Sequence, residues 1–248
     1  MSSRIKPPAI YNRFRALLVI MFLCSATAMG QSLREKLNRQ TEYHPHANAP
    51  DAQLVEVAKH FQIPMAIEWL DTDSGADRIP ELNFKKGLVV DLIKAIVARA
   101  HHERLIVDEP IVRVFAPSAF NSPLNFLNLR IAEYCVSNAS VFAADFSLRV
   151  AIDQMLYPKY FENGFSGGYG GGEKLFWIER ISICLKRKPI RDLLTEVAAQ
   201  SGVALWFAKL KTEELRGPKP FWKGVPINEF GTSAITGHWV FVALREDE

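Results

Sequence analysis

The sequence is poor in cysteine, in long apolar runs and in net charge. Three cysteines in 248 residues exclude the class of small, disulfide-dense secreted proteins. Fourteen glycines and 14 prolines exclude a collagen-like chain. Beyond the first 30 residues, no segment approaches the ~20 apolar residues that span a bilayer. The remaining composition, with 48% hydrophobic and 23% charged residues, is typical of one or two folded domains with a core.

The first 30 residues have the three parts of a secretory signal peptide. A basic start without acidic residues leads into the apolar run Ala16–Cys24, and Ala26-Thr27-Ala28 supplies small residues for a cleavage site. The apolar run is short for a membrane anchor. We therefore expect a cleaved leader at 1–30, no stable membrane span after its removal, and a periplasmic or secreted protein. The basic residues of the start are Arg4, Lys6, Arg13 and Arg15.

The charge balance argues against nucleic acid as a partner. The whole chain has 30 basic and 27 acidic residues. Without the four basic residues of the leader, 26 basic residues stand against 27 acidic ones. Nucleic-acid binding needs a retained basic face, and the tight cluster Lys186-Arg187-Lys188 is typical of a solvated turn.

Removal of the leader leaves Cys135 and Cys184. In an oxidising compartment this pair predicts a disulfide. The bond would close a loop of about 50 residues and contribute roughly 4 kcal/mol in the chain-entropy model. The alternative is two separate buried thiols, because free cysteine often packs as a small core hydrophobe.

The pattern of apolar residues divides the mature chain into two modules. Residues 31–50 are polar and predict a tether with one helical turn. Residues 51–117 follow the order helix, strand, strand, helix, strand, strand, with the second strand at Glu81–Lys85. Ser118–Pro123 is typical of a linker. Residues 124–248 return to the same order, with a Gly-rich loop at 162–174.

The two modules align with one another. Leu82–Ile93 matches Ile183–Leu194 in strand period, turn length and the position of an early helical Asp, which indicates an internal duplication. The alternative is that all strand–turn–helix units look alike. In the second module Ser140 is predicted to cap one helix, and Pro189 and Gly202 to begin and end the next.

The segment Leu82–Gly87, followed by Val89–Ile93, resembles the secretin and TonB short N-terminal domain. The preceding helix and strand at Leu54–Trp69 fit the first half of that domain. The resemblance covers 51–116 well and 127–244 more loosely. It implies an interaction module located in the cell envelope. The chain departs from the family pattern because no barrel or secretin core follows and the second copy carries long insertions.

Two motifs resemble a catalytic or a metal-binding pattern, and each departs from that pattern in part. Gly164-Phe165-Ser166-Gly167-Gly168 matches G-x-S-x-G, but that motif needs a strand before the serine and a helix after it. In the run Asp71–Asp77, side chains with oxygen atoms that suit calcium recur at alternate positions. Gly75 and Leu82 do not fit the spacing of a calcium-binding loop. We therefore assign no catalytic residue, no cofactor and no metal site, and keep a secreted hydrolase using Ser166 as the alternative function.

Phe221 and Trp222 lie in an irregular segment rich in Pro and Gly. They either tuck onto the sheet or form an exposed anchor for a partner. The sequence thus predicts an α+β protein of two small β-α-β-type modules, each a sheet with helices packed on one face. Its predicted function is that of an exported, non-enzymatic protein-interaction module with an envelope or secreted protein partner. The sequence leaves the oligomeric state open.

Overall fold

A mixed five-stranded sheet organises the part of the chain that the computed structural model describes, which is residues 31–71, 81–100, 103–158, 180–202, 204–220 and 238–244. The strands of these residues are β1 (Gln40–Thr41), β2 (Met65–Asp71), β3 (Gly87–Leu88), β4 (Arg104–Asp108), β5 (Ile111–Phe115), β6 (Arg130–Ser140), β7 (Arg180–Pro189), β8 (Ala204–Lys211) and β9 (Trp239–Ala243). The helices are α1 (Leu33–Leu37), α2 (Pro50–Phe61), α3 (Val89–Ala98), α4 (Pro117–Phe120), α5 (Val141–Leu156), α6 (Ile190–Ser201) and α7 (Thr212–Arg216), and a 3-10 turn covers Phe126–Asn128.

The five-stranded sheet has the order β4-β5-β2-β8-β9. The central strand β2 runs parallel to both β5 and β8. The outer strands β4 and β9 each pair antiparallel to the strand inside them. Two further antiparallel pairs, β1–β3 and β6–β7, lie outside this sheet. We refer to the β6–β7 pair as the ribbon.

Alternate residues of β2 point to opposite faces of the sheet. Met65, Ile67 and Trp69 join an apolar cluster with α2 and α3, whereas Ala66 joins a second cluster with α5 and α6. Helices therefore cover both faces of the five-stranded sheet. The α+β class, with helices packed against sheets, is confirmed. No helix of the described residues is long and apolar enough to cross a membrane.

The helix ends follow local signals in the sequence. The Ser140 side chain accepts a hydrogen bond from the Ala143 backbone N–H at 3.2 Å and caps α5. Pro189 stands at the N-cap of α6. Gly202 ends α6 with φ 63°, a left-handed conformation that glycine adopts without steric cost. Ser140 and Gly202 have the roles that the sequence predicts, and Pro189 stands one residue before the first helical turn, in which the sequence places it.

One predicted strand is wrong. Glu81–Lys85 forms no strand, and the extended residues follow it at Gly87–Leu88, which pair with Gln40–Thr41. Phe84 is buried in the cluster under α2 and α3, but Glu81, Asn83 and Lys85 around it are exposed. A single anchoring aromatic residue holds an irregular segment in place without a ladder of hydrogen bonds. This segment also carries the family resemblance.

The predicted tether at 31–50 contributes to the core. Leu33 and Leu37 lie one helical turn apart on α1 and are buried under α2 and α3. Lys36 donates a hydrogen bond to the Gln62 carbonyl oxygen at 2.6 Å. Leu33 and Leu37, together with the partly buried Tyr43, pack this otherwise polar segment against the core.

The five-stranded sheet includes strands of both predicted modules. β2 belongs to 51–117 and β8 to 124–248, and they pair over six residues from Ala66↔Trp206 to Asp71↔Lys211. The predicted linker Ser118–Pro123 includes most of α4, and Ala119 is buried there. The described residues from Leu33 onward belong to one compact unit. The duplication of the two halves stays a prediction.

Candidate functional site

At the carboxyl ends of β2 and β5, the chain leaves the sheet toward opposite faces. From β2 the chain continues to α3 on one face, and from β5 it continues toward α6 on the other face. Adjacent parallel strands whose connections leave to opposite faces form the position where α/β sheets bind ligands. Glu68 lies on β2 in this region, opposite Phe115 of β5.

Glu68 forms a buried ion pair with Arg191. The two side chains approach to 3.1 Å between Glu68 Oε2 and Arg191 Nη2, and each residue is only 5% exposed. Arg191 stands in the first turn of α6, which leads into β8 parallel to β2. The first turn of α6 therefore lies near the carboxyl end of β2, and this topology brings the two charges together.

Aromatic and polar groups from 116–128 enclose the guanidinium. The Phe120 ring centroid lies 3.7 Å from the guanidinium carbon of Arg191, and Arg191 Nη1 donates to the Phe120 carbonyl oxygen at 3.3 Å. Asn125, which is 1% exposed, hydrogen-bonds the Glu68 side chain. A stacked and hydrogen-bonded arginine is held in a fixed orientation. The segment expected to be a linker therefore forms one wall of the charged centre.

A second buried carboxyl lies near the same strand. Glu103 is 8% exposed, and its Oε1 accepts the backbone N–H of Leu70 at 3.0 Å. Burial raises the pKa of Glu103 to about 7, an effect that the Leu70 hydrogen bond opposes and the Glu68 charge reinforces. We call Glu68, Glu103, Asn125 and Arg191 the buried centre.

Burial also raises the pKa of Glu68 to about 7, against the opposing effects of Arg191, Asn125 and Arg113. The same desolvation lowers the pKa of Arg191. Burial therefore holds the pKa of both carboxyls of the buried centre above the usual range of a glutamate. The Arg191 charge 3.1 Å from Glu68 opposes the binding of a metal cation there.

Within the described residues, Glu103 Oε2 and Arg191 Nε of this centre have no hydrogen-bond partner, whereas Glu68 Oε2 and Arg191 Nη2 are paired through their 3.1 Å ion contact. Unsatisfied buried polar atoms are costly and mark either strain or function. The sequence signals for the centre are a Glu inside the apolar run Met65–Leu70 and an Arg beside apolar residues at the start of α6. Sequence reasoning missed both signals.

The disulfide residues lie on the ribbon. Cys135 and Cys184 are direct partners across β6 and β7, and their sulfurs are bonded at 1.97 Å. Both cysteines are exposed. On the same face, Lys186 Nζ lies 3.0 Å from Glu133 Oε1. The sequence predicts the bond but not its position on the protein surface.

The edge strand β4 exposes apolar side chains on both of its faces. Ile106 is 37% exposed and the adjacent Val107 is 44% exposed. At the opposite edge of the sheet, Val240 of β9 is 49% exposed. Within the described residues, β4 pairs only with β5, so its outer side has backbone groups without a ladder partner.

Several predicted residues lie outside the described residues. These are Phe221 and Trp222, the Gly-rich loop with Ser166, and most of the Asp71–Asp77 run, of which the structure describes Asp71 alone. Their predicted roles stay predictions.

Comparison with known proteins adds no relative. No family model, no curated protein and no solved structure matches this chain. The likeness to the secretin and TonB short N-terminal domain, which depends on residues 51–116, stays a prediction from the sequence.

Proposed function

We propose that this protein is an exported, non-enzymatic interaction module of the cell envelope that binds an extended segment of a partner protein along β4. An extended segment can complete the unpaired backbone groups of an edge strand, and its alternate side chains then contact both faces of the sheet. The observation that carries the proposal is the exposed apolar pair Ile106 and Val107 on this edge.

The two exposed apolar side chains of β4 favour this edge over β9, which exposes one. Natural edge strands are commonly protected by charged side chains, but in β4 the charges stand only at the ends, at Arg104 and Asp108. The middle of the strand is Leu105-Ile106-Val107. β9 exposes a single large apolar residue, Val240, at 49%. A partner segment with apolar residues at alternate positions suits β4.

The disulfide supports the export part of the proposal. Disulfides persist in oxidising compartments such as the periplasm and the outside of the cell, and Cys135 and Cys184 are bonded. The signal-peptide pattern at 1–30 points to the same compartments. These two observations are independent, because one comes from the first 30 residues and the other from the fold.

The test is capture of a partner from envelope extracts with residues 31–248 as bait. The double variant Ile106→Lys/Val107→Lys places charges in the middle of β4, and we expect it to lose the partner because charges on an edge block strand addition. Val240→Lys places one lysine at the exposed apolar position of β9 and is the control for the other edge, which should keep the partner. Circular dichroism and thermal unfolding confirm that both variants are folded.

Three other outcomes would change the proposal. A partner retained by the β4 variant and lost by Val240→Lys would move the interface to β9. A partner lost only in Phe221→Ala/Trp222→Ala would move it to the second predicted anchor. A dimer that dissociates in the β4 variant during sedimentation would make a second copy of this chain the occupant.

A further inference from the structure

The disulfide between Cys135 and Cys184 is placed where external reagents reach it. The two residues are register partners in the middle of the ribbon, and both are exposed. Exposed disulfides are the ones that exchange with external thiols, whereas structural disulfides resist reduction. Its position therefore raises the question of whether it has a role besides cross-linking.

Charged side chains of both signs flank the disulfide on the exposed face of the ribbon. Glu133 is two residues before Cys135 on β6, and its Oε1 lies 3.7 Å from the Cys135 sulfur. Lys186 is two residues after Cys184 on the same face of β7, with its Nζ 3.0 Å from that carboxylate oxygen. One ligand atom of Glu133 and the two sulfurs lie within 4.8 Å of one another. A cation beside a cysteine favours its thiolate and an anion disfavours it.

We propose that Cys135–Cys184 is a thiol–disulfide exchange site for an external dithiol. A thiolate of the dithiol attacks the Cys135 sulfur and bonds to it. The Cys135–Cys184 bond breaks, and its electron pair goes to the Cys184 sulfur, which leaves as a thiolate on the strand that carries Lys186. The second thiolate of the dithiol then attacks the first sulfur of the dithiol, which is bonded to the Cys135 sulfur. Cys135 leaves and takes up a proton, so the dithiol is oxidised by two electrons and the protein disulfide is reduced by two.

The fold holds the ribbon together without this bond. Eight register pairs join β6 and β7 from Arg130↔Pro189 to Ser140↔Arg180. On the buried face, Tyr134 donates its hydroxyl to the Ala144 carbonyl oxygen at 2.6 Å, and Ile181 and Ile183 are at most 3% exposed. The exchange site is therefore open in the native state, and reduction does not require unfolding.

The experiment treats the oxidised protein with dithiothreitol, traps free thiols with an alkylating reagent and measures them by mass spectrometry, with circular dichroism in parallel. We expect both cysteines to be trapped while the circular dichroism is unchanged, and we expect denaturant to raise the reduction rate by less than about tenfold. Trapping that occurs only together with global unfolding would make the disulfide structural and overturn the proposal.

The role of Lys186 has a test of its own. Lys186→Gln should slow reduction by about threefold, because the variant removes the positive charge from the strand on which the Cys184 thiolate leaves. Lys188→Gln removes an exposed charge from the same strand and is the matched control, which should keep the wild-type rate. Equal rates in the two variants would overturn the role of Lys186.

The mixed disulfide formed with a monothiol shows which of the two cysteine sulfurs is attacked. With glutathione, a monothiol, quenching early should place the adduct on Cys135. An adduct on Cys184 would overturn the assignment of the leaving sulfur.

Discussion

Two charged residues, Glu68 and Arg191, are buried in apolar surroundings. Glu68 stands in the apolar strand β2, and Arg191 stands among buried residues of α6. The burial of each residue follows from its element, but their 3.1 Å contact depends on how residues far apart in the chain pack. Sequence periodicity alone therefore reveals two unusual residues but not one site.

Replacing Glu103 by Gln should flatten the pH dependence of stability. A carboxyl whose pKa rises from 4.5 to about 7 on folding stabilises the folded state most below pH 4.5. That stability is lost as the pH rises through about 7, by up to about 3 kcal/mol at 1.36 kcal/mol per pKa unit. Gln is neutral at every pH and keeps an oxygen to accept the Leu70 N–H.

The measurement is chemical denaturation between pH 4 and pH 8. We expect the free energy of unfolding of the wild type to fall over this range, and that of Glu103→Gln to fall less. Glu213→Gln, on an exposed residue of α7, is the control and should follow the wild type. Parallel curves for wild type and Glu103→Gln would show that Glu103 does not titrate in this window.

Helices were the most predictable elements, because local signals fix their ends. Ser140 and Gly202 cap their helices through bonds to neighbouring residues, and Pro189 stands directly before the first residue of α6. The strand expected at Glu81–Lys85 did not form, because a strand needs a partner and alternation alone does not supply one. The docking of α1 was missed for a similar reason, since Leu33 and Leu37 are buried only against distant helices.

Ser140→Ala should destabilise the protein by about 1 kcal/mol, the usual cost of losing an N-cap. The hydroxyl accepts the Ala143 N–H at 3.2 Å, and alanine leaves that donor without its partner. Urea denaturation measures the difference. Ser137→Ala changes an exposed serine of the same strand and should cost less than about 0.5 kcal/mol. Equal costs for the two variants would contradict a capping role.

At the scale of the whole molecule, the two halves of the chain are joined through the centre of the sheet. β2 from the first half is paired with β8 from the second along most of its length. The sequence predicts most of these strands individually. The local pattern of apolar residues does not show which distant strands pair with one another. The division into modules at 51–117 and 124–248 came from that local pattern.

Residues 31–117 alone should therefore lack a cooperative unfolding transition. This fragment loses the β8 partner of β2, and it loses α6, which covers Ala66 and Glu68. Thermal unfolding followed by circular dichroism tests this expectation, with residues 31–248 as the cooperative control. A sharp transition in the fragment would support two independent modules and contradict the dependence of β2 on the second half.

The central claim is that β4 is the surface that binds the partner. Amide hydrogen exchange of residues 31–248, free and with the captured partner, tests it most directly. Strand addition gives the outer backbone groups of Arg104–Asp108 new hydrogen bonds, so the account predicts slower exchange in β4 on binding. Unchanged exchange in β4, with new protection in β9 or around Phe221 and Trp222, would contradict it.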